Sequence, residues 1–192
     1  MRYSLPMYAG FLDLTCPLHW TVDHALPPDA CAGYIRRFHA GQPEVAPIVG
    51  ERGQSVVEPE TRNNTRIMWD DPDEADRLLD RVRLHVPTRL SGLTLAGANP
   101  RLRVYRYGPG ERHGPHWDTI VELADGVRSL LTLVFYLNDG FAGGDTDFLE
   151  LDARVTPQLG RALLFQHRVL HRASEVHAGE KFVLRTDILY RP

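Results

Sequence analysis

Residues 129–138 read SLLTLVFYLN, and neither side of this run is suited to face water. Strand side chains alternate between faces, so Leu130, Thr132, Val134 and Tyr136 share one side and Leu131, Leu133, Phe135 and Leu137 the other. Both sides are largely apolar. Such a strand belongs in the middle of a sheet, covered by other structure on one face and lining a cavity on the other. From about residue 93, further short β-type runs (RLRVYRY, DTDFLEL, RALLFQ and KFVLRTDILY) alternate with turns rich in Gly, Pro, Asn and Asp. That rhythm predicts an all-β sandwich or barrel.

Residues 1 to about 92 read instead as helices and loops. A first helix is predicted to start near Pro28-Asp29 and run through CAGYIRRFHA, since Pro and Asp suit a first turn. A second begins at Pro72. Asp71 can cap it, Glu74 completes a capping-box-like pattern, Leu78, Leu79, Val82 and Leu84 supply an apolar face, and Pro87 ends it. Between the helices lies a polar stretch of about twenty residues, a length at which a loop is usually either functional or disordered. Residues Gly50 to Asp71 are therefore expected to form a substrate lid, with Arg62, Asn63, Asn64 and Arg66 as contacts. The 192 residues are expected to make one domain: mainly β with helical support, a distorted jelly roll (93–192) packed against an N-terminal helical and loop region (1–92).

The bulk composition narrows the partners. A formal net charge of -3 argues against nucleic acid, which needs a basic face. No apolar run is long enough to span a membrane, and the start MRYSLPMYAGFLDLT does not resemble a signal peptide. Cys16 and Cys31 are too few for a disulfide framework, so free thiols and a cytoplasmic setting are expected.

The chemistry concentrates in GPHWDT. On a strand His116 and Asp118 point the same way, and a histidine from a distant strand can then close one face of an octahedron. Two histidines and a carboxylate so placed leave three positions open, as a non-haem Fe(II) oxygenase requires. The HxD pattern alone is weak among nine histidines, because a lone strand histidine is more often a core or surface residue. Alternation puts His113 on the face opposite His116. His167 and His171 form an HxxxH pair, but in strand-then-loop sequence rather than the helix of a zincin. His177 falls in the turn before Lys181. His113, His167 and His177 are read as supporting or surface residues.

Taken together, the region from about Leu102 to Tyr190 resembles the prolyl 4-hydroxylase-like branch of the 2-oxoglutarate/Fe(II) oxygenases. LRVYRYGPGERHGPHWD is similar to that family's strand, glycine turn and HxD, and RSLLTLVFYLN to its central strand. GGDTDF (143–148) is similar to its GGET-F segment, with a shorter acid, and VTPQLGRALLF to its Val-x-Pro-x-x-Gly turn. HRASEVHAGEK matches its distal histidine followed ten positions later by a basic residue. The resemblance implies a double-stranded β-helix with iron held by His116, Asp118 and His171. It implies 2-oxoglutarate and O2 as cosubstrates, ascorbate as an accessory reductant, and Lys181 paired with the distal carboxylate of 2-oxoglutarate.

A dicarboxylate inside a barrel needs a cation, and of 22 basic residues Lys181 is the single lysine. Tyr107 and Tyr136 are further candidates to hold the cosubstrate, with Thr132 a weaker one. Arg185, on the same face as Lys181, is a second candidate anion contact. Retention of Asp118, which related halogenases lack, argues for hydroxylation. The implied substrate is a proline-type residue in a peptide or protein. The alternatives are a free amino acid or other small metabolite, and a non-catalytic metal-binding sensor on the same fold. A sensor or a zinc hydrolase has no use for an anion pocket around Lys181.

Overall fold

The computed structural model describes residues 12–49 and 54–192. Among these, the two longest strands, Arg128–Tyr136 and Lys181–Arg191, pair antiparallel within a nine-stranded sheet. Ala162–Gln166 and then His19–Val22 extend it on one side, and Arg101–Tyr107, Thr65–Asp70 and Glu44–Val45 on the other. A smaller sheet has four short strands in the order Ala153–Val155, Thr146–Phe148, His171–Ala173, His113–His116. It packs on the large sheet through Phe148 and Val155, which join Tyr136, Leu163 and Phe165 in an inner core. The architecture is the expected jelly roll.

From Leu131 onward the alternation in the central strand sorts its side chains as the sequence implies, whereas Leu130, expected on the cavity face, packs against the outer core because the pairing register shifts between Ser129 and Leu131. Leu131, Leu133, Phe135 and Leu137 are buried in an outer core shared with helices α1 (Pro28–Ala40) and α2 (Pro72–Val82). Each such side chain contributes roughly 1.5–3 kcal/mol by leaving water. Thr132, Val134 and Tyr136 face a cavity on the other side. Helix α2 starts as predicted: the Asp71 carboxylate accepts from the Glu74 N–H at 2.8 Å, and Ala75, Leu78, Leu79 and Val82 are buried. Leu84, expected on the same face, is instead 98% exposed. The α-helix ends at Val82, and a single 3-10 turn, Arg83–His85, takes Leu84 out of the apolar stripe.

The first 92 residues are not only helices and loops. His19–Val22 and Thr65–Asp70 are strands of the large sheet, and Ile48–Val49 pairs with Ser55–Val56 as a small hairpin. TRIMWD follows a long polar stretch and lies near the sheet edge, where only Ile67 is buried, so it does not stand out as a strand. Ile67 reaches the core, whereas Met68 is 43% exposed. Gly50, Glu51, Arg52 and Gly53 of the expected lid lie outside the described residues.

Candidate active site

His116 and His171 are direct partners on neighbouring strands of the small sheet, with ring centroids 4.2 Å apart. Each ring is anchored through Nδ1 to a backbone carbonyl, His116 to Gly114 at 2.8 Å and His171 to Val169 at 3.0 Å. A carbonyl partner keeps the proton on Nδ1, so the Nε2 lone pair is free for a metal. Asp118, just past the strand, completes the set. Its Oδ1 lies 3.7 Å from His116 Nε2 and its Oδ2 3.8 Å from His171 Nε2, and one ligand atom from each residue lies within 4.8 Å of the others. Burial pushes the His116 imidazole down to about 3, with His171 adding to the effect, and burial lowers His171 as well. Burial opposes the charge on Asp118, but Arg185 and the two ligand histidines outweigh it and hold the carboxyl well below its usual range. Two neutral imidazoles and a carboxylate of this kind suit a divalent first-row metal such as iron.

The large sheet braces the carboxylate. Thr132 Oγ1 donates to Asp118 Oδ2, and Arg185 Nη1 lies 2.9 Å from Asp118 Oδ1. Arg185 in turn donates to Asp187 at 3.2 Å, and Arg103 lies 3.5 Å from the other Asp187 oxygen. Thr132 thus spends its proton on the metal ligand rather than on a cosubstrate, and Arg185 is already shared between two carboxylates.

A narrow cavity beside His116 and His171 runs between Tyr107, Tyr136, Thr146, Leu163, Phe165 and Lys181. Lys181 is 2% exposed. Its ammonium donates to the Gly144 carbonyl at 2.6 Å and lies 5.2 Å and 5.6 Å from the Tyr107 and Tyr136 ring centres. Among the described residues no carboxylate comes within ion-pair distance of it. Burial lowers its pKa to about 8, against the pull of Asp145 and Asp147. The turn that meets it needs glycine: Gly144 has φ +72, and a Cβ there would approach Lys181 Cδ to 3.1 Å. The Tyr136 hydroxyl is 2.8 Å from Thr146 Oγ1. Burial raises the Tyr107 phenol to about 12, with Arg62 opposing.

The other expected site residues divide. Arg62, 6% exposed, lines this cavity and lies over the Tyr105 ring at 4.7 Å. Arg66 lines a separate, wider cleft. Asn63 and Asn64 are braces and line neither. Asn63 donates to the Gly110 carbonyl and accepts from the Arg112 N–H, while Asn64 accepts from Arg62 Nε at 2.9 Å. The segment is therefore not a free lid: residues Thr65–Asp70 are a strand, Asn63 pins it to the glycine turn, and Asn64 braces Arg62 within it.

His113 departs most from expectation. It stacks on His116 with ring centroids 3.6 Å apart instead of facing away. His171 pairs with His116 and Ala173 with His113, so two residues on one strand span three on the other. That bulge brings positions three apart to the same side. Sequence reading also missed Thr146, although it stands in the GGDT segment. It missed Arg103 and Asp187 too, and an acid inside the apolar run KFVLRTDILY was their visible signal.

Comparison with known proteins adds independent findings. Residues 102–186 match the family model described as the 2OG-Fe(II) oxygenase superfamily. The chain is 31% identical over 125 residues to prolyl 4-hydroxylase subunit alpha-1 of Rattus norvegicus, covering 56% of this chain and 23% of that protein. It thus spans about a quarter of that relative's length. The fold matches a Pseudomonas putida prolyl-4-hydroxylase with a TM-score of 0.68 at 22% identity, covering 94% of this chain and 96% of that one. It also matches the viral collagen prolyl hydroxylase of Paramecium Bursaria Chlorella virus-1, solved as a 2OG complex, with a TM-score of 0.64 at 20% identity, covering 93% and 98%.

Proposed function

We propose that the chain is a member of the 2OG-Fe(II) oxygenase superfamily, in its prolyl 4-hydroxylase-like branch, and an Fe(II)- and 2-oxoglutarate-dependent dioxygenase hydroxylating a proline-type residue in a peptide or protein. The observation that carries the reading is Lys181, a buried ammonium that among the described residues donates to a carbonyl and meets no carboxylate, in the same cavity as two of the three metal-ligating side chains. A buried cation without a counter-ion is costly, and a dianionic cosubstrate relieves that cost.

His116, Asp118 and His171 would hold the iron. Bound there, Fe(II) supplies the redox chemistry by which O2 and 2-oxoglutarate become succinate and CO2, with one oxygen atom delivered to a substrate C–H. The protein's own part is placement. Lys181 pairs with the distal carboxylate, and Tyr136 with Thr146 offers hydroxyls beside it. Tyr107 walls the cavity. Val134, Leu163, Phe165 and Val183 keep it dry, which strengthens each polar contact inside. Thr132 and Arg185 hold Asp118 in its ionised, ligating orientation. Among the described residues no helix is long and apolar enough to cross a membrane, and the free thiols Cys16 and Cys31 favour a reducing, cytoplasmic setting.

The test is incubation of the purified chain with 2-oxoglutarate, Fe(II), ascorbate, air and proline-containing peptides. Succinate formation that depends on Fe(II), and a gain of one oxygen on peptide, are the expected results. No Fe(II)-dependent consumption of 2-oxoglutarate would overturn the enzyme reading. Oxygen gain on free proline alone would replace the peptide by a small metabolite.

A further inference from the structure

A second cleft, of about 600 Å³, also reaches His116 and Asp118. Ile48 and Ser55 of the small hairpin and Pro47 just before it line the cleft, as do Trp117, Thr119 and Val121, which follow His116 in the chain. Its charged lining is four arginines, Arg62, Arg66, Arg103 and Arg185, against Asp118 and Asp187. In a chain of formal net charge -3 this is a local reversal of sign, placed next to the metal ligands.

The two acids are already engaged. Asp118 belongs to the ligand set and to Arg185, and Asp187 is shared by Arg185 and Arg103. The arginines retain capacity. Arg66 pairs with Glu44, whose side chain is 59% exposed, and an ion pair of that kind is weak and displaceable. Arg103 meets Asp187 only at 3.5 Å, a long contact. Among the described residues, Arg185 Nε is buried with no hydrogen-bond partner. Tyr105 registers the field: burial opposes ionisation of its phenol, yet Arg62, Arg103 and Arg185 together pull it down to about 8.

We propose that this cleft recognises its substrate through a carboxylate, with Arg66 and Arg103 as the specificity-determining contacts. The proposal rests on the dioxygenase reading above and narrows its substrate class. Guanidinium forks match carboxylates in a bidentate way, and apolar walls such as Ile48, Trp117 and Val121 weaken solvent screening of the contact. The carboxylate has two possible sources: an acidic residue beside the hydroxylated one in a peptide, or the free α-carboxyl of a terminal or free amino acid.

Matched probes separate these sources. One pair is an amidated proline hexapeptide with Glu or Gln beside the proline. A second is a peptide ending in proline as free acid or amide, and a third is L-proline and L-prolinamide. Each is titrated into the Fe(II)- and 2-oxoglutarate-loaded enzyme under nitrogen. The carboxylate member of at least one pair should bind about tenfold more tightly or better, and the pair that discriminates names the source. Arg66→Gln and Arg103→Gln should each pull that ratio toward one, while Arg66→Lys keeps part of it. Because the readout is a ratio within one protein, a general loss of active material does not mimic the result.

Fe(II)-dependent consumption of 2-oxoglutarate by the wild type, in the same preparation and in air, tests the dioxygenase reading separately. If that turnover is present, any of four outcomes overturns the carboxylate cleft: equal affinity within every pair, no measurable binding of any probe, a preference that survives both substitutions, or a short oligonucleotide outcompeting every carboxylate probe.

Discussion

The large and small sheets give different things to one site. The large sheet has strands of up to eleven residues, and it supplies Lys181, Tyr107 and Tyr136 around the narrow cavity and Thr132 and Arg185 behind Asp118. The small sheet has strands of three or four residues and supplies both histidines. In a long strand, neighbours on both sides fix which way each side chain points. In a short one, a single bulge reassigns faces, and the orientation of His116 and His171 rests instead on one carbonyl each. On the proposed reading, anion binding and metal binding are built by separate structural devices, Lys181 on the large sheet and the two histidines on the small one.

The largest expected effect that would break this division comes from Lys181→Ala. Losing one partner of a buried charge pair costs roughly 3–5 kcal/mol, so 2-oxoglutarate binding should weaken about a hundredfold or more, with Fe(II) affinity nearly unchanged by calorimetry. Equal losses of both would show that the two devices are one. The same lysine sets a pH dependence. Its pKa in the fold is depressed from 10.5 to about 8, so between these values the unfolded chain binds more protons and stability rises with pH. Cosubstrate affinity runs the other way, falling as pH climbs past about 8 and the ammonium is lost, and a titration of Lys181→Ala should lack that fall.

Leu79→Ala probes the other face of the large sheet. It removes a fully buried side chain from the core shared with α2, and urea denaturation should show a loss of roughly 2–5 kcal/mol, with 2-oxoglutarate affinity of the folded protein kept. Thr132→Val sharpens the comparison at Asp118. It keeps volume and removes the hydrogen bond to Asp118, so metal affinity should fall roughly 10–100-fold. Unchanged metal affinity would mean that the large sheet does not position the ligand. Asp71→Ala should cost about 1 kcal/mol through loss of the α2 cap and leave metal and cosubstrate binding intact.

The long strands and the helix cap were legible because local rules act on them alone: alternation placed Thr132 and Tyr136, and Asp71-Pro72 marked the start of α2. The metal set was legible as HxD with a distal histidine. The stacking of His113 on His116 was not, since the bulge that produces it is a property of strand pairing and leaves no mark in HGPH. Nor was the strand Thr65–Asp70, which follows a long polar stretch and lies near the sheet edge. The arginine cleft was only partly legible. Arg62, Arg66 and Arg185 stood out, but Arg103 joins them through pairing of distant strands, Arg103 lying opposite Arg185 in the sheet.

On the proposed reading, the metal ligands and Lys181 grip one cosubstrate from the two sheets at once. Calorimetric titration of 2-oxoglutarate into the anaerobic protein, with and without Fe(II), tests it most directly. Tight binding should appear only with Fe(II) present and should vanish in Lys181→Ala; 2-oxoglutarate binding of equal strength in the presence and absence of Fe(II) would contradict it.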